Sequence, residues 1–334
     1  MNIHSSYAER TLPIVAILAG KNRADLESWI FDTNYALEEA ARHIWSDRVR
    51  GGQTALRVMK QFAETAGALE ACGWPAERIK ECLEPSRKVF ATSSFMRRCQ
   101  EWPRGYAGDF ETIEYLFAGV NQSLSGTLGW HIENTLLQSA VVQQHHNKLK
   151  NQSREIIGAL MRSRTARVLS VGCGGCLDWL PVLPHLKSFS GEIVLNDCEP
   201  AALELAERRL RPVTTHVRLT PGNVIRMSRR LAQGGRFDLV LAGGLFDYLP
   251  DRASVYLLRV IAQDLLTPGG VLLFTNIAEG NPWRRLMEYG SDWNLIERSE
   301  ARIFELCREA GIPGSCISLK REDTGLTLIA RVVL

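Results

Sequence analysis

The chain has 334 residues, of which 45% are hydrophobic and 23% are charged, and these are ordinary values for globular proteins. The formal net charge is only +3 and the arginines are spread along the chain, so a nucleic-acid surface is not predicted, because phosphate binding needs a concentrated basic patch. No apolar run reaches the roughly 18 residues that span a bilayer, and MNIHSSYAER lacks the pattern of a secretion signal. We therefore expect a cytoplasmic protein.

The first half of the chain carries helical periodicity. Apolar residues recur at three- and four-residue spacing over 25–45 and 52–72, and Gly73 and Pro75 end the second of these helices. An all-α domain, which we expect to act as a lid or substrate domain, is therefore predicted over 1–150. Its further helices are predicted over 76–83, 86–99, 109–118 and 122–162.

From Arg167 onward, short β-branched runs alternate with helical stretches such as 200–210 and 253–266. This alternation predicts a mostly parallel sheet over 151–334 with helices on both faces, and therefore an α/β fold. Only a short turn, DTG, separates the last two strands, which predicts an antiparallel hairpin at the sheet edge. The seven predicted strands cover 167–171, 192–197, 216–220, 237–243, 270–277, 315–322 and 326–334.

The turn after the first predicted strand reads SVGCGGCLD and contains both a glycine cluster and a C-x-x-C pair. Gly172 and Gly174 carry no side chain, so backbone amides can approach a ligand there. Cys173 and Cys176 leave open a redox or metal dithiol, but no second cysteine pair completes a four-thiolate zinc site. The preferred interpretation is a cofactor turn, with no metal site.

Polar residues follow the next strands at the distances that such a cofactor needs. Asp197 ends the second strand, where a carboxylate can accept both hydroxyls of a ribose. Asn223 and Val224 follow the third strand, where an amide can meet an adenine edge. The fourth strand, which includes Gly243, leads into the aromatic-bearing loop of FDLVLAGGLFDYLPD.

Together with LTPGGVLLF over 266–274, these features resemble the class I methyltransferases that use S-adenosylmethionine (SAM). The resemblance implies SAM as the cofactor, with Gly172 and Gly174 at its methionine moiety. It also implies Asp197 at the ribose, with Asn223 and Val224 at the adenine. Ser170 stands where this family has an acidic residue, and it completes the predicted cofactor set together with Gly243. A nicotinamide fingerprint is not met, because Leu177 occupies the position of its third glycine.

Two finer resemblances concern the substrate. EWPRGYAGDFETIEYLF, GLFDYLPD and DWNLIERSE resemble segments of bacterial methyltransferases that make the methyl ester of 3-hydroxypalmitic acid. The architecture is also similar to that of SAM cyclases that form azetidine-2-carboxylic acid. The first implies methyl transfer to the carboxylate or amine of a small or lipid-like metabolite. The second implies ring closure of SAM with release of methylthioadenosine, and a SAM-binding regulatory protein is a third hypothesis.

The candidate catalytic residues come from both halves of the chain. Aromatic faces can stabilise a sulfonium cation, an arginine can clamp a carboxylate, and a histidine can act as a general base. Phe110 and Trp130 are further aromatic candidates, whereas Asp109 is predicted to cap the helix 109–118. The catalytic candidates are Arg104, Tyr106, His131, Asn134, Phe246 and Tyr248.

Overall fold

The computed structural model describes residues 23–334, which form two compact units. The helical unit consists of residues 23–108 together with Gly119–Gln138 and Pro282–Asn294. The sheet unit consists of Asp109–Ala118, Ser139–Asn281 and Leu295–Leu334. Each unit is therefore assembled from separate stretches of the chain, and the boundary expected at residue 150 falls inside a helix of the sheet unit.

Twelve α-helices are described between residues 23 and 334. In chain order they are α1 (Arg23–Ala41), α2 (Arg48–Ala71), α3 (Ala76–Cys82), α4 (Glu84–Phe90), α5 (Ser94–Glu101), α6 (Phe110–Ala118), α7 (Leu128–Leu137), α8 (Ala140–Arg162), α9 (Pro200–Leu210), α10 (Val224–Gln233), α11 (Asp251–Val260) and α12 (Glu300–Glu309). None of the helices in this part of the chain is both long and apolar enough to cross a membrane.

Helix α2 forms the centre of the helical unit. Asp47 caps its first turn by accepting hydrogen bonds from the backbone N–H groups of Val49 and Arg50. Its apolar stripe is fully buried, and Phe62 packs edge-to-face against Phe90 with ring centroids 4.9 Å apart. Burial of one such ring contributes about 1.5–3 kcal/mol, so this stripe carries much of the unit's stability.

The segment Pro282–Asn294 joins the helical unit through ion pairs. Glu70 on α2 accepts hydrogen bonds from Arg284, Arg285 and the Tyr289 hydroxyl, the last at 3.0 Å. Two arginines beside the Glu70 carboxylate outweigh its partial burial and lower its pKa. A stretch that lies between β5 and α12 in the sequence is therefore held by side chains more than 200 residues earlier in the chain.

The sheet unit confirms the predicted α/β fold. Its seven strands have the order β3-β2-β1-β4-β5-β7-β6, and β7 runs antiparallel to both β5 and β6. The terminal hairpin is thus present at the sheet edge. The strands are β1 (Arg167–Val171), β2 (Glu192–Asp197), β3 (Val217–Pro221), β4 (Phe237–Ala242), β5 (Leu266–Ile277), β6 (Ile317–Arg321) and β7 (Thr327–Val333).

Both faces of this sheet are covered, as a parallel sheet requires. Leu169 and Val171 of β1 belong to one buried apolar cluster, whereas Val168 belongs to a second cluster on the other face. This alternation follows the two-residue period of a strand. Ligands of such folds bind outside the carboxyl ends of the parallel strands, so these ends are where a site is expected.

The single helix predicted over 122–162 is wrong. The structure has α7 and α8 instead, separated at Gln138 and Ser139, and Ser139 is in an extended conformation with ψ of 163°. No glycine or proline marks this break, which is why periodicity alone runs through it. The break is also a change of unit, because α7 belongs to the helical unit and α8 to the sheet unit.

Candidate functional site

The turn after β1 has the backbone conformation that its glycines permit. Gly172 and Gly174 have φ of 59° and 52°, in the left-handed region where a side chain is disfavoured. The N–H of Gly174 donates to Oδ2 of Asp197 at 2.8 Å, and the N–H of Glu199 donates to Oδ1 at 2.9 Å. The carboxylate at the end of β2 thus fixes the glycine turn at the end of β1.

Helix α6 packs on the same turn. A Cβ placed on Gly174 would lie 3.6 Å from Cβ of Phe110, the first residue of α6. Glu114 binds Arg209 of α9 through two contacts of 2.6 Å, and Arg209 also donates to the carbonyl of Gly175. Oδ1 of Asp109 accepts from the N–H of Thr112 at 2.9 Å, which confirms the predicted helix cap.

The two cysteines of the turn differ in exposure. All eight cysteines of the chain are free thiols, with Cys173 partly exposed and Cys176 fully buried. Burial, together with the neighbouring Cys173, raises the pKa of the Cys176 thiol well above its usual range, so it is a poor nucleophile. Cys176 also has φ of 59°, so a non-glycine residue adopts the left-handed conformation at this position. Across residues 23–334, no group of three or more His, Cys, Asp or Glu side chains is placed to hold a metal ion.

At the end of β3, the predicted adenine residues occupy the start of α10. Oδ1 of Asn223 accepts from the N–H groups of Ile225 and Arg226, so this oxygen caps the helix. Val224 is buried, with 6% of its surface exposed. Asn196 supports the loop from below by donating to the carbonyls of Thr220 and Gly222. The side-chain oxygen of Asn223 is thus already engaged, which the sequence did not indicate.

The loop after β4 places its two predicted aromatic residues differently. Phe246 is 0% exposed and packs against Phe274 with ring centroids 4.7 Å apart. The prediction that Phe246 faces a ligand is therefore wrong, because the short helical turn Leu245–Asp247 directs its ring into the core. Tyr248 is 40% exposed, and the side chain of Leu245 lies 3.6 Å from the Cβ position of Gly172.

Helix α8 supplies polar side chains that reach the loops at the carboxyl ends of the strands. Gln152 fills the space above Gly243, since its Nε2 lies 1.7 Å from the position that a Cβ on this glycine would occupy. Asn147 donates to Glu322 at 2.7 Å, and Gln144 accepts from Thr327 of β7. This polar face was not predicted from the sequence, although Gln144, Lys148 and Gln152 recur at four-residue spacing.

Asp247 and Lys148 form a buried ion pair at the end of β4. Nζ of Lys148 lies 3.7 Å from Oδ2 of Asp247, and the two side chains are 10% and 5% exposed. Oδ1 of Asp247 accepts from the N–H of Ile277 at 2.6 Å. Burial raises the pKa of Asp247, whereas Lys148 and Arg298 act in the opposite direction. Burial also lowers the pKa of His145 well below its usual value, with Lys148 as the second cause.

Asp178 is a second buried carboxyl group next to the glycine turn. Burial raises its pKa to about 7, while its own backbone N–H and that of Trp179 act in the opposite direction. Perturbed carboxyl groups of this kind concentrate at functional sites. Ser170 lies nearby in β1, is 4% exposed and pairs in register with Leu195 and Leu241, so it is an interior strand residue.

The remaining catalytic candidates, Arg104, Tyr106, His131 and Asn134, lie in the helical unit. His131 is 1% exposed, its Nε2 lies 3.2 Å from the carbonyl oxygen of Trp45, and its ring fills the space beside Gly51. Oδ1 of Asn134 accepts from Gln138 at 3.3 Å. The contacts of His131 are those of a packed core histidine.

Comparison with known proteins finds one domain match, which lies within the sheet unit. Residues 169–272 match the family model described as a methyltransferase domain. This range contains the glycine turn, Asp197 and the loop after β4. A search of the curated proteins found no match.

One of the similar solved structures supports the fold, and two others resemble the chain less closely. A crystal structure of a possible exported protein from Bordetella parapertussis has a TM-score of 0.52 and 20% identity, covering 67% of this chain and 79% of that chain. The magnesium protoporphyrin IX methyltransferase of Synechocystis PCC 6803 has a TM-score of 0.43 and 14% identity, covering 58% and 87%. An N-methyltransferase from Bradyrhizobium japonicum WM9 has a TM-score of 0.40 and 15% identity, covering 56% and 96%.

The methyltransferase-domain match, on a seven-stranded α/β sheet of this topology, supports a SAM-dependent transferase.

Proposed function

We propose that the enzyme transfers the methyl group of SAM to a carboxylate or amine of a small or lipid-like metabolite. The observation that carries this proposal is the hydrogen bond of 2.8 Å between the Gly174 N–H and Asp197, within the segment that matches a methyltransferase domain. This bond joins the ends of β1 and β2 at the carboxyl edge of the sheet, where ligands of such folds bind.

The residues of this edge fit SAM. Gly172 and Gly174 have no side chains, so the space beside the turn stays free. A Cβ on Gly172 would lie 3.6 Å from Leu245, and one on Gly174 would lie 3.6 Å from Phe110. Each oxygen of Asp197 holds one backbone N–H and keeps a further lone pair for a ribose hydroxyl. Val224, with the amide nitrogen of Asn223, would then border the adenine, because Oδ1 of Asn223 caps α10.

The protein's task is orientation rather than activation, since SAM supplies a methyl group on a sulfonium that is already electrophilic. Phe110 beside the glycine turn and Tyr248 after β4 would present aromatic faces to a cation, each worth roughly 0.5–2 kcal/mol. A carboxylate acceptor needs no general base, which suits the packed position of His131. An amine acceptor needs one proton removed, and Asp178, with a pKa of about 7, has the appropriate basicity.

The experiment that tests this proposal is product analysis by mass spectrometry. Pure protein is incubated with SAM, alone and together with a panel of carboxylic acids and amines that includes 3-hydroxy fatty acids. We expect intact SAM without an acceptor, and S-adenosylhomocysteine with a methylated product when an acceptor is supplied. Formation of methylthioadenosine from SAM alone would contradict methyl transfer and would support the alternative, closure of SAM to azetidine-2-carboxylic acid.

A further inference from the structure

The ammonium group of Lys148 lies at the loop after β4, paired with Asp247. Lys148 extends from α8 to the loop after β4, and its side chain is 10% exposed. Its ion-pair partner among residues 23–334 is Asp247, at 3.7 Å. An ammonium has three N–H donors, so Lys148 can also donate to the acceptor atoms of a ligand.

Asp247 holds Lys148 in place but does not saturate it. Oδ1 of Asp247 is already bound to the N–H of Ile277, which leaves Oδ2 to face the ammonium. The backbone beside the pair is open, because Gly244 carries no Cβ, and such an atom would lie 3.5 Å from Nζ of Lys148. Gly244 has φ of 86°, so its conformation also disfavours a larger residue. An anion can thus approach Lys148 over Gly244.

The strand register brings this ammonium next to the glycine turn. Ser170 of β1 pairs with Leu241 of β4, so the residues that follow each strand, Gly172 and Gly243–Gly244, leave the sheet side by side. From Asp197 at the end of β2 to the end of β4 is two strand spacings, about 10 Å. A nucleoside bound at Asp197 would direct an extended amino acid arm across Gly172 toward Lys148.

We propose that Lys148, oriented by Asp247, binds the carboxylate of the cofactor's methionine arm. This inference rests on the proposed function, because it assumes that the ribose is bound at Asp197. It assigns to α8 a role in selecting the intact cofactor over nucleosides that lack the amino acid arm. Lys148 becomes a binding residue that neither its sequence context nor a local motif identifies.

The test compares two nucleosides in calorimetric titrations of the full chain. S-adenosylhomocysteine carries the carboxylate, whereas methylthioadenosine lacks the whole amino acid arm. We expect Lys148→Met to weaken S-adenosylhomocysteine binding about 10- to 100-fold, the range for a hydrogen bond to a charged group, and to leave methylthioadenosine binding unchanged. Lys150→Met, an exposed lysine on the same helix, is the matched control and should change neither. Lys148→Arg should restore most of the preference for S-adenosylhomocysteine.

Two results would overturn the inference. Unchanged S-adenosylhomocysteine affinity in Lys148→Met would show that the ammonium does not bind the carboxylate. Equal losses for both nucleosides would assign Lys148 to general support of the loop. Failure of the proposed function is distinguishable from either result, because it would appear in the product analysis as methylthioadenosine formed from SAM alone.

Discussion

The two halves of the carboxyl edge of the sheet differ in how their residues are brought together. The half at β1 and β2 is built from a short turn and the aspartate that follows the next strand, and Gly174 and Asp197 are 23 residues apart. The half at β4 is built from α8 and the loop after β4, and Lys148 and Asp247 meet from distant parts of the sequence. The half at β1 and β2 depends on backbone conformations set by nearby residues. The half at β4 depends on how distant segments of the sheet unit pack together.

Replacement of Phe246 should have the largest effect, and it tests the half of the carboxyl edge at β4. Because its ring is fully buried against Phe274, Phe246→Ala should lower the free energy of unfolding by about 3–5 kcal/mol. Tyr248→Ala, two residues later at a side chain that is 40% exposed, should cost much less stability. Urea unfolding of both variants checks this. If Phe246→Ala is as stable as the wild type but binds SAM more weakly, Phe246 contacts the ligand.

Asp178 should make stability depend on pH. Its pKa in the folded protein, about 7, lies above the ordinary 3.8, so folding favours the protonated form. The stabilising contribution is therefore present below pH 4 and is lost as the pH rises through about 7. Asp178→Asn does not titrate, so its advantage over the wild type should grow between pH 4 and 7, to at most about 4 kcal/mol.

Denaturation midpoints at several pH values measure this advantage, with the exposed Asp264→Asn as the control. A difference between Asp178→Asn and the wild type that does not vary with pH would mean that Asp178 titrates normally.

Replacement of Gly174 tests the half of the carboxyl edge at β1 and β2, and its expected effect is smaller. Gly174→Ala places a side chain at φ of 52°, which costs about 1–2 kcal/mol, and relief of this strain would displace the N–H that binds Asp197. We expect S-adenosylhomocysteine to bind about tenfold more weakly. Gly269→Ala has the same kind of strain at φ of 76° with open space around it, and lies at the opposite edge of the sheet. Gly269→Ala should lose stability but keep its affinity for S-adenosylhomocysteine. Equal losses of affinity in both variants would contradict a role of the Gly174 turn in binding.

The sheet could be predicted from the sequence because the residues that signal its strands and turns lie close together in the chain. Alternating β-branched runs, the DTG turn and the glycines after β1 each specify backbone geometry within a few residues, and the structure has these features. The cap formed by Asp109 is local in the same way. The terminal hairpin likewise follows from the short turn between the last two predicted strands.

The features that the sequence did not reveal depend on distant partners. Periodicity continues through Gln138 and Ser139 because both flanking segments form helices, so the break between α7 and α8 has no compositional mark. The segment 282–294 joins the helical unit through Glu70 and Asp292, whose cationic partners are far away in the chain. The burial of Phe246 likewise depends on Phe274 in the neighbouring strand.

The most direct test of the account is the affinity of Asp197→Asn for S-adenosylhomocysteine. Asparagine keeps the shape and one acceptor oxygen but removes the charge and the second acceptor. Asp238→Asn is the same change at the amino edge of the same sheet, where Asp238 accepts from the N–H of Arg167 at 2.7 Å. We expect Asp197→Asn to bind S-adenosylhomocysteine about 10- to 100-fold more weakly, and Asp238→Asn to bind it like the wild type. Wild-type affinity in a folded Asp197→Asn protein would contradict the account.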